Sequence, residues 1–133
     1  MALGSALAAA ALAAAGCGTS AKTRNDKAAI RQVVTEFAAA HDARACSLLT
    51  DDAIQSVYGG YTDPIPKARA SCRAASKHFK GAPVTVTQIN FTTSTIAKAG
   101  ATNPAKTVGY TITLHRNGSH WRIGQITQAR IRQ

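Results

Sequence analysis

Val108-Gly109-Tyr110-Thr111-Ile112-Thr113-Leu114-His115-Arg116-Asn117-Gly118-Ser119-His120-Trp121-Arg122-Ile123-Gly124-Gln125-Ile126-Thr127 is the stretch that decides the fold. Two runs of alternating polarity flank Asn117-Gly118, and Asn-Gly is the preferred centre of a type I′ hairpin turn. Taking those two residues as the loop sets the register. Leu114 then faces Trp121, Ile112 faces Ile123, Tyr110 faces Gln125, and Val108 neighbours Thr127. The opposite face pairs His115 with His120, Thr113 with Arg122, and Thr111 with Gly124. One face is largely apolar and the other polar, which is the pattern of a half-buried antiparallel sheet.

Upstream of the hairpin, Val84 to about Asn90 is β-rich, and the run from Phe91 to Ala97 continues it or pairs with it. Gly100 to Pro104 reads as a turn region. Everything earlier carries helical spacing. Ile30, Val33, Val34 and Phe37 share one face of a first helix, capped by Asn25 or Asp26 and running to about Ala40. Asp42 is placed to cap a short second helix with Cys46 and Leu49 inward. Thr50 caps a third, with Asp51 and Asp52 in the first turn, where the helix dipole favours anions. Ile54, Val57 and Tyr58 supply its apolar side, and Gly59-Gly60 stops it. Pro66 opens a fourth helix, with Ala68, Cys72, Ala75 and Phe79 on its buried face and Arg69, Arg73, Lys77 and Lys80 outward. Helices first and strands after give an α+β fold: helices on one face of a curved antiparallel sheet.

The chain has 133 residues, enough for one domain. Nothing between Met1 and Gly16 is charged, and the Ala/Leu run is too short to span a bilayer. It fits the apolar region of a signal peptide. Leu12-Ala13-Ala14-Ala15-Gly16-Cys17 resembles a lipobox, which implies cleavage before Cys17 and a diacylglycerol on its thiol. The expected organisation is a signal peptide over 1–16, a lipidated cysteine with a short flexible tether over 17–25, and the folded domain over 26–133. The first basic residue is Lys22, a departure from the usual basic start that points to a start placed too late or a trimmed chain. The alternative is an Ala-rich helix with an incidental cysteine. Assigning Cys17 to lipid leaves Cys46 and Cys72 as an even pair, which outside the cytosol is usually oxidised. The alternative there is two buried free thiols.

Charge is distributed unevenly. Up to Asp63 there are five basic and six acidic residues; from Pro64 there are eleven basic residues and no acidic side chain. Such a surface favours anionic partners, and for an exported chain nucleic acid fits least. Arg69, Arg73, Lys77 and Lys80 are the candidate contact with an anionic surface; a solvated basic face is the bland reading.

The first helix followed by His41-Asp42 and Ala45-Cys46-Ser47-Leu48-Leu49-Thr50, the later Cys72, and the ending Asn117-Gly118-Ser119-His120-Trp121-Arg122-Ile123 together resemble secreted, actinobacterial-type lipoproteins of the nuclear transport factor 2-like superfamily. The resemblance covers nearly all of the chain beyond the leader. It implies a sheet curved around a long helix into a cone with an internal pocket. It also implies a range of roles, from isomerases, cyclases and dehydratases to non-catalytic binding domains, so the fold does not fix the function. Dimerisation through the sheet is common among such cones, and nothing in this sequence decides it.

Catalytic cones place an Asp or an Asp–His pair in the pocket, and the strand half of this chain holds no carboxylate. His41, Asp42 and Tyr110 would have to converge for an enzyme. His115 and His120, as cross-strand neighbours, lack a third metal ligand. Tyr110, Gln125 and Thr127 are the polar groups on the otherwise apolar face and the candidate pocket residues. No catalytic residue, metal or cofactor is assigned. The expectation is an outward-facing, lipid-anchored envelope protein whose domain binds a small apolar ligand or an envelope partner. A cone-pocket enzyme and a purely structural tethered module are the alternatives.

Overall fold

A computed structural model describes the backbone of residues 14–132 and the side chains from Ala21 onward. The signal-peptide expectation for 1–16 therefore falls almost entirely outside the described residues, as does the side chain of Cys17. Among the described residues, no helix is long and apolar enough to cross a membrane.

The helices are α1 (Ala14–Ala39), α2 (Arg44–Ser47), α3 (Asp51–Tyr58) and α4 (Ile65–Ala75), the last tightening into a 3-10 turn at Ser76–His78. Four strands follow: β1 (Thr85–Phe91), β2 (Ile96–Thr102), β3 (Val108–Asn117) and β4 (His120–Arg130). They form one antiparallel sheet in the order β1-β2-β3-β4. The α+β reading with helices packed on one sheet face holds.

The first helix starts earlier than its cap signal. Asn25 and Asp26 lie inside α1, and 18–25, expected as a flexible tether, is helical backbone. The six residues from Thr19 to Arg24 contain neither Pro nor Gly, so propagation past Asn25 adds a hydrogen bond per residue and outcompetes a cap. Asp26 is released for another task, described below. Ile30 and Val34 are fully buried against the sheet, each contributing about 1.5–3 kcal/mol. Below them the inner face of β2 is Ala97, Ala99 and Ala101, all buried. Small side chains there let the helix lie close to the sheet.

The capping expectation holds for Thr50 but not for Asp42: the residue at the N-cap of α2 is Ala43, and Asp42, one residue earlier, only bonds the first helical amide. Asp42 Oδ1 accepts from the Arg44 amide at 2.9 Å, and Thr50 Oγ1 accepts from the Ala53 amide at 3.1 Å. Ala45, Cys46, Leu49 and Ile54 are buried. Val57 departs from its expected place: it is 69% exposed. Arg69 departs as well. It is half-buried, and its guanidinium donates to the Cys46 carbonyl at 3.2 Å and to the Asp51 carboxylate, joining α4 to α2 and α3. Cys46 and Cys72 form a disulfide across 26 residues, linking the same helices.

The hairpin register differs from the sequence reading. The loop is Gly118-Ser119, closed by Asn117 and His120. Gly118 has φ +65° and Ser119 does not have positive φ, so glycine takes the first central position, as in a type II′ turn. Asn117 stays in the strand. Arg116 now faces Trp121, His115 faces Arg122, and Leu114 faces Ile123. His115 and His120 are not opposite each other. Gly124 is then an extra residue on β4, a bulge, after which Thr113 faces Gln125, Ile112 faces Ile126, Thr111 faces Thr127 and Tyr110 faces Gln128. A second bulge at Thr87 in β1 sits opposite Gly100, which belongs to β2 rather than to a turn. A Cβ on Gly100 would lie 3.0 Å from Thr87 Oγ1, so the missing side chain admits the bulge. The two bulges bend the sheet around α1.

Beside the β4 bulge, the end of α2 lies alongside the strand. The Thr50 amide donates to the Ile123 carbonyl at 2.9 Å and the Ile123 amide to the Leu48 carbonyl at 2.8 Å, a parallel bridge at Leu49. The helical layer is thereby hydrogen-bonded to the sheet where the strand bends.

Candidate functional site

Two adjoining apolar cavities open between the helices and the inner sheet face. One, of about 320 Å³, lies between α3 and β4, with Leu49, Ala53, Val57, Tyr58 and Ile123 among its walls. The other, of about 160 Å³, lies between α1, the Ala82–Val84 segment and β3, with Val34, Tyr110 and Ile112 among its walls. Phe37 and Ile126 line both and form the partition. The larger reaches the lower end of the usual range for small-molecule sites, about 300–1,000 Å³.

The local reasons are legible. Ile126 returns to the inner face because the Gly124 bulge adds one residue to β4, yet it remains 39% exposed among the described residues. Val57 faces the same opening from α3. Gly59 ends α3 directly after Tyr58. The Tyr58 hydroxyl is pushed above its ordinary pKa by burial, which keeps it a neutral hydrogen-bonding group over a wide pH range.

Of the three candidate pocket residues, Tyr110 lines the smaller cavity and Gln125 the larger, while Thr127 does neither. Thr127 donates to the Thr111 carbonyl at 3.4 Å on the opposite, exposed face. The bulge is the physical reason: one extra residue reverses the parity of every later position on β4. The residues that take the inner face are Ile126, Gln128 and Arg130. The signal that could have found them is Gly124 itself, since a glycine inside a strand marks a bulge.

Among the described residues, neither cavity is lined by a carboxylate or an imidazole. His41 and Asp42 are both exposed after the end of α1 and line neither cavity, so they do not converge with Tyr110. The described residues also contain no cluster of three His, Cys, Asp or Glu able to hold a metal ion. Arg73, Lys77 and Lys80 are exposed; Arg69 is tied to Asp51.

No family model and no curated sequence matches the chain. Its fold is similar to the crystal structure of an NTF-2-like protein of unknown function from Silicibacter pomeroyi DSS-3. The TM-score is 0.51 at 14% sequence identity, covering 82% of this chain and 98% of that one. Helices followed by a four-stranded antiparallel sheet, one disulfide and that likeness together make this an NTF-2-like fold.

Proposed function

We propose that the chain is a membrane-anchored envelope lipoprotein, lipidated at Cys17, whose domain binds a small apolar ligand without transforming it. The observation that carries the ligand reading is the pair of adjoining cavities, with apolar walls, a few hydrogen-bonding groups at Tyr58, Tyr110 and Gln125, and neither a carboxylate nor an imidazole among the described lining residues. Binding requires a concave apolar surface and a small number of orienting polar groups. Proton-transfer chemistry near neutral pH requires in addition a group that titrates there, which a tyrosine does not, Tyr58 least of all because burial holds it higher still.

The address rests on separate ground. Met1 to Gly16 is uncharged and apolar and ends in small residues before Cys17. The Cys46–Cys72 disulfide suits an oxidising compartment outside the cytosol.

The two parts are tested separately. Titration of the full chain with an apolar fluorescent probe should give saturable binding that Ile126→Trp, by filling the partition, reduces at least about tenfold. Equal binding by the folded variant contradicts the cleft. Globomycin treatment of the producing cell should accumulate an uncleaved precursor; a processed, soluble protein contradicts the anchor.

A further inference from the structure

We propose that α1 lies along the anionic membrane surface to which Cys17 is anchored, with Arg24, Lys27 and Arg31 against the lipid head groups. This rests on the reading of Cys17 as the anchor and adds how the domain sits on the surface.

The helix itself sets the placement. Residues 18–25 are helical backbone, so one continuous helix joins the anchor position to the domain. Positions seven apart on an α-helix drift by only about 20°. Cys17, Arg24 and Arg31 are spaced by seven, so these positions form one stripe about 21 Å long. Lys27 is three residues after Arg24 and four before Arg31, which puts it beside both. Arg24, Lys27 and Arg31 are all exposed. Their neighbours on this side are short: Ala28 is small, and Thr35 turns its hydroxyl back to the Arg31 carbonyl at 2.9 Å.

Carboxylates lie elsewhere. Ala38, the next position at the same spacing, lines the smaller cavity with Ala82 and Val84, which lead into β1. The stripe therefore runs down the β1 flank of α1. The β4 flank carries both carboxylates of the helix. Asp26 is held by Trp121 and Arg116, and Glu36 accepts from Gln32 at 2.9 Å in a hollow shared with Ser47 and Trp121. Asp42, Asp51 and Asp52 belong to the α2–α3 segment that Leu49 joins to β4, and Asp63 is paired with Lys67. β1 and β2 contain no carboxylate. Among the described residues, ion pairs use Lys67, Arg69 and Arg116 but none of the three cations on the stripe.

Like charges three and four residues apart on a helix repel one another. Anionic head groups relieve that repulsion, and a lipid surface supplies them along the whole stripe. An upright helix would hold Arg31 about 20 Å above the anchor, beyond the Debye length of about 8 Å at physiological salt. A helix lying flat brings all three cations to the surface.

The test is co-sedimentation of the full chain carrying Cys17→Ser, and hence unlipidated, with vesicles of phosphatidylcholine alone or mixed equally with phosphatidylglycerol. Met1 to Gly16 is uncharged, so the leader cannot favour the anionic vesicles. The parent should prefer them. Arg24→Gln, Lys27→Gln and Arg31→Gln should each lower that partitioning about fivefold, the share of one cation near such a surface. Lys98 stands between the buried Ala97 and Ala99 of β2 and faces away from α1, so Lys98→Gln should change nothing. Trp121 fluorescence checks that each variant is folded. Equal partitioning of the parent onto both vesicles, a loss with Arg24→Gln but none with Arg31→Gln, or an equal loss with Lys98→Gln overturns the placement and leaves the anchor standing. A processed, soluble protein under globomycin removes the anchor, and this placement with it, whatever the vesicles show.

Discussion

The indole N–H of Trp121 donates to the carboxylate of Asp26 at 3.3 Å, tying the end of the hairpin to the first helix. Trp121 is 3% exposed and sits against Phe91, with ring centroids 6.0 Å apart and planes tilted by 55°. The other Asp26 oxygen is 3.7 Å from the guanidinium of Arg116, the cross-strand neighbour of Trp121. One carboxylate thus holds both strands of the hairpin against α1.

Asp26→Ala should cost about 1–2 kcal/mol, because it strands a buried indole N–H and removes the partner of Arg116. Asp26→Asn keeps an acceptor and should cost less than half as much. Trp121 is the single tryptophan, so urea unfolding followed by its fluorescence reads both variants directly. An alanine variant as stable as the parent contradicts the tie.

Gly81→Ala should be among the most damaging single changes, at about 2–3 kcal/mol. A Cβ there would lie 2.0 Å from the Ala39 carbonyl oxygen, and the adjacent Ala82 amide donates to the Ala38 carbonyl at 2.8 Å. Backbone meets backbone, so no rotamer relieves the clash. Gly118→Ala is the comparison: nothing lies within 4 Å of its Cβ, and only the positive φ is penalised, at about 1 kcal/mol. Thermal unfolding of the two variants should rank them in that order.

Removing the disulfide by the Cys46→Ser, Cys72→Ser double substitution should destabilise the fold by about 3.5 kcal/mol in the chain-entropy model. The bond closes a 26-residue separation and joins α2 to α4, whose other link is the Arg69 bridge to the Cys46 carbonyl. Chemical denaturation of the oxidised protein and the double variant checks this. A loss below about 1 kcal/mol contradicts it.

The α3–α4 turn should loosen only in strong acid. Asp63 accepts from the Gly60 amide at 2.7 Å and pairs with Lys67 at 3.0 Å. The Gly60 hydrogen bond first, and Lys67 second, hold its carboxyl below the ordinary value of 3.8. A lowered folded-state pKa contributes stability that is fully present above the unfolded value and is lost as pH falls through the folded one. Carboxyl NMR titration should therefore give Asp63 a midpoint below 3.8, moving together with the Gly60 amide shift. A midpoint at or above 3.8 contradicts the assignment.

What the sequence made legible was local. Thr50 caps where its side chain can reach an amide, and Cys46 with Cys72 was readable from cysteine count and export. Asp26 misled because the cap preference it carries is smaller than the gain from continuing the helix. The hairpin misled because Asn117-Gly118 and Gly118-Ser119 both place glycine where φ is positive, and only tertiary packing chooses between them. The loop choice shifted the pairing by two residues and left each side chain on its face; the Gly124 bulge alone moved Thr127 out of the concave face and brought in Gln128 and Arg130. Val57 followed helical spacing yet stayed exposed, since no element among the described residues lies over the cleft to cover it.

The most direct test of the cleft as a ligand site is native mass spectrometry of the protein purified without detergent exchange from its own cell envelope. One small molecule per chain should be retained, lost on denaturation and absent from the folded Ile126→Trp variant. A bare polypeptide mass in the parent, or the same retained mass in both proteins, would contradict it.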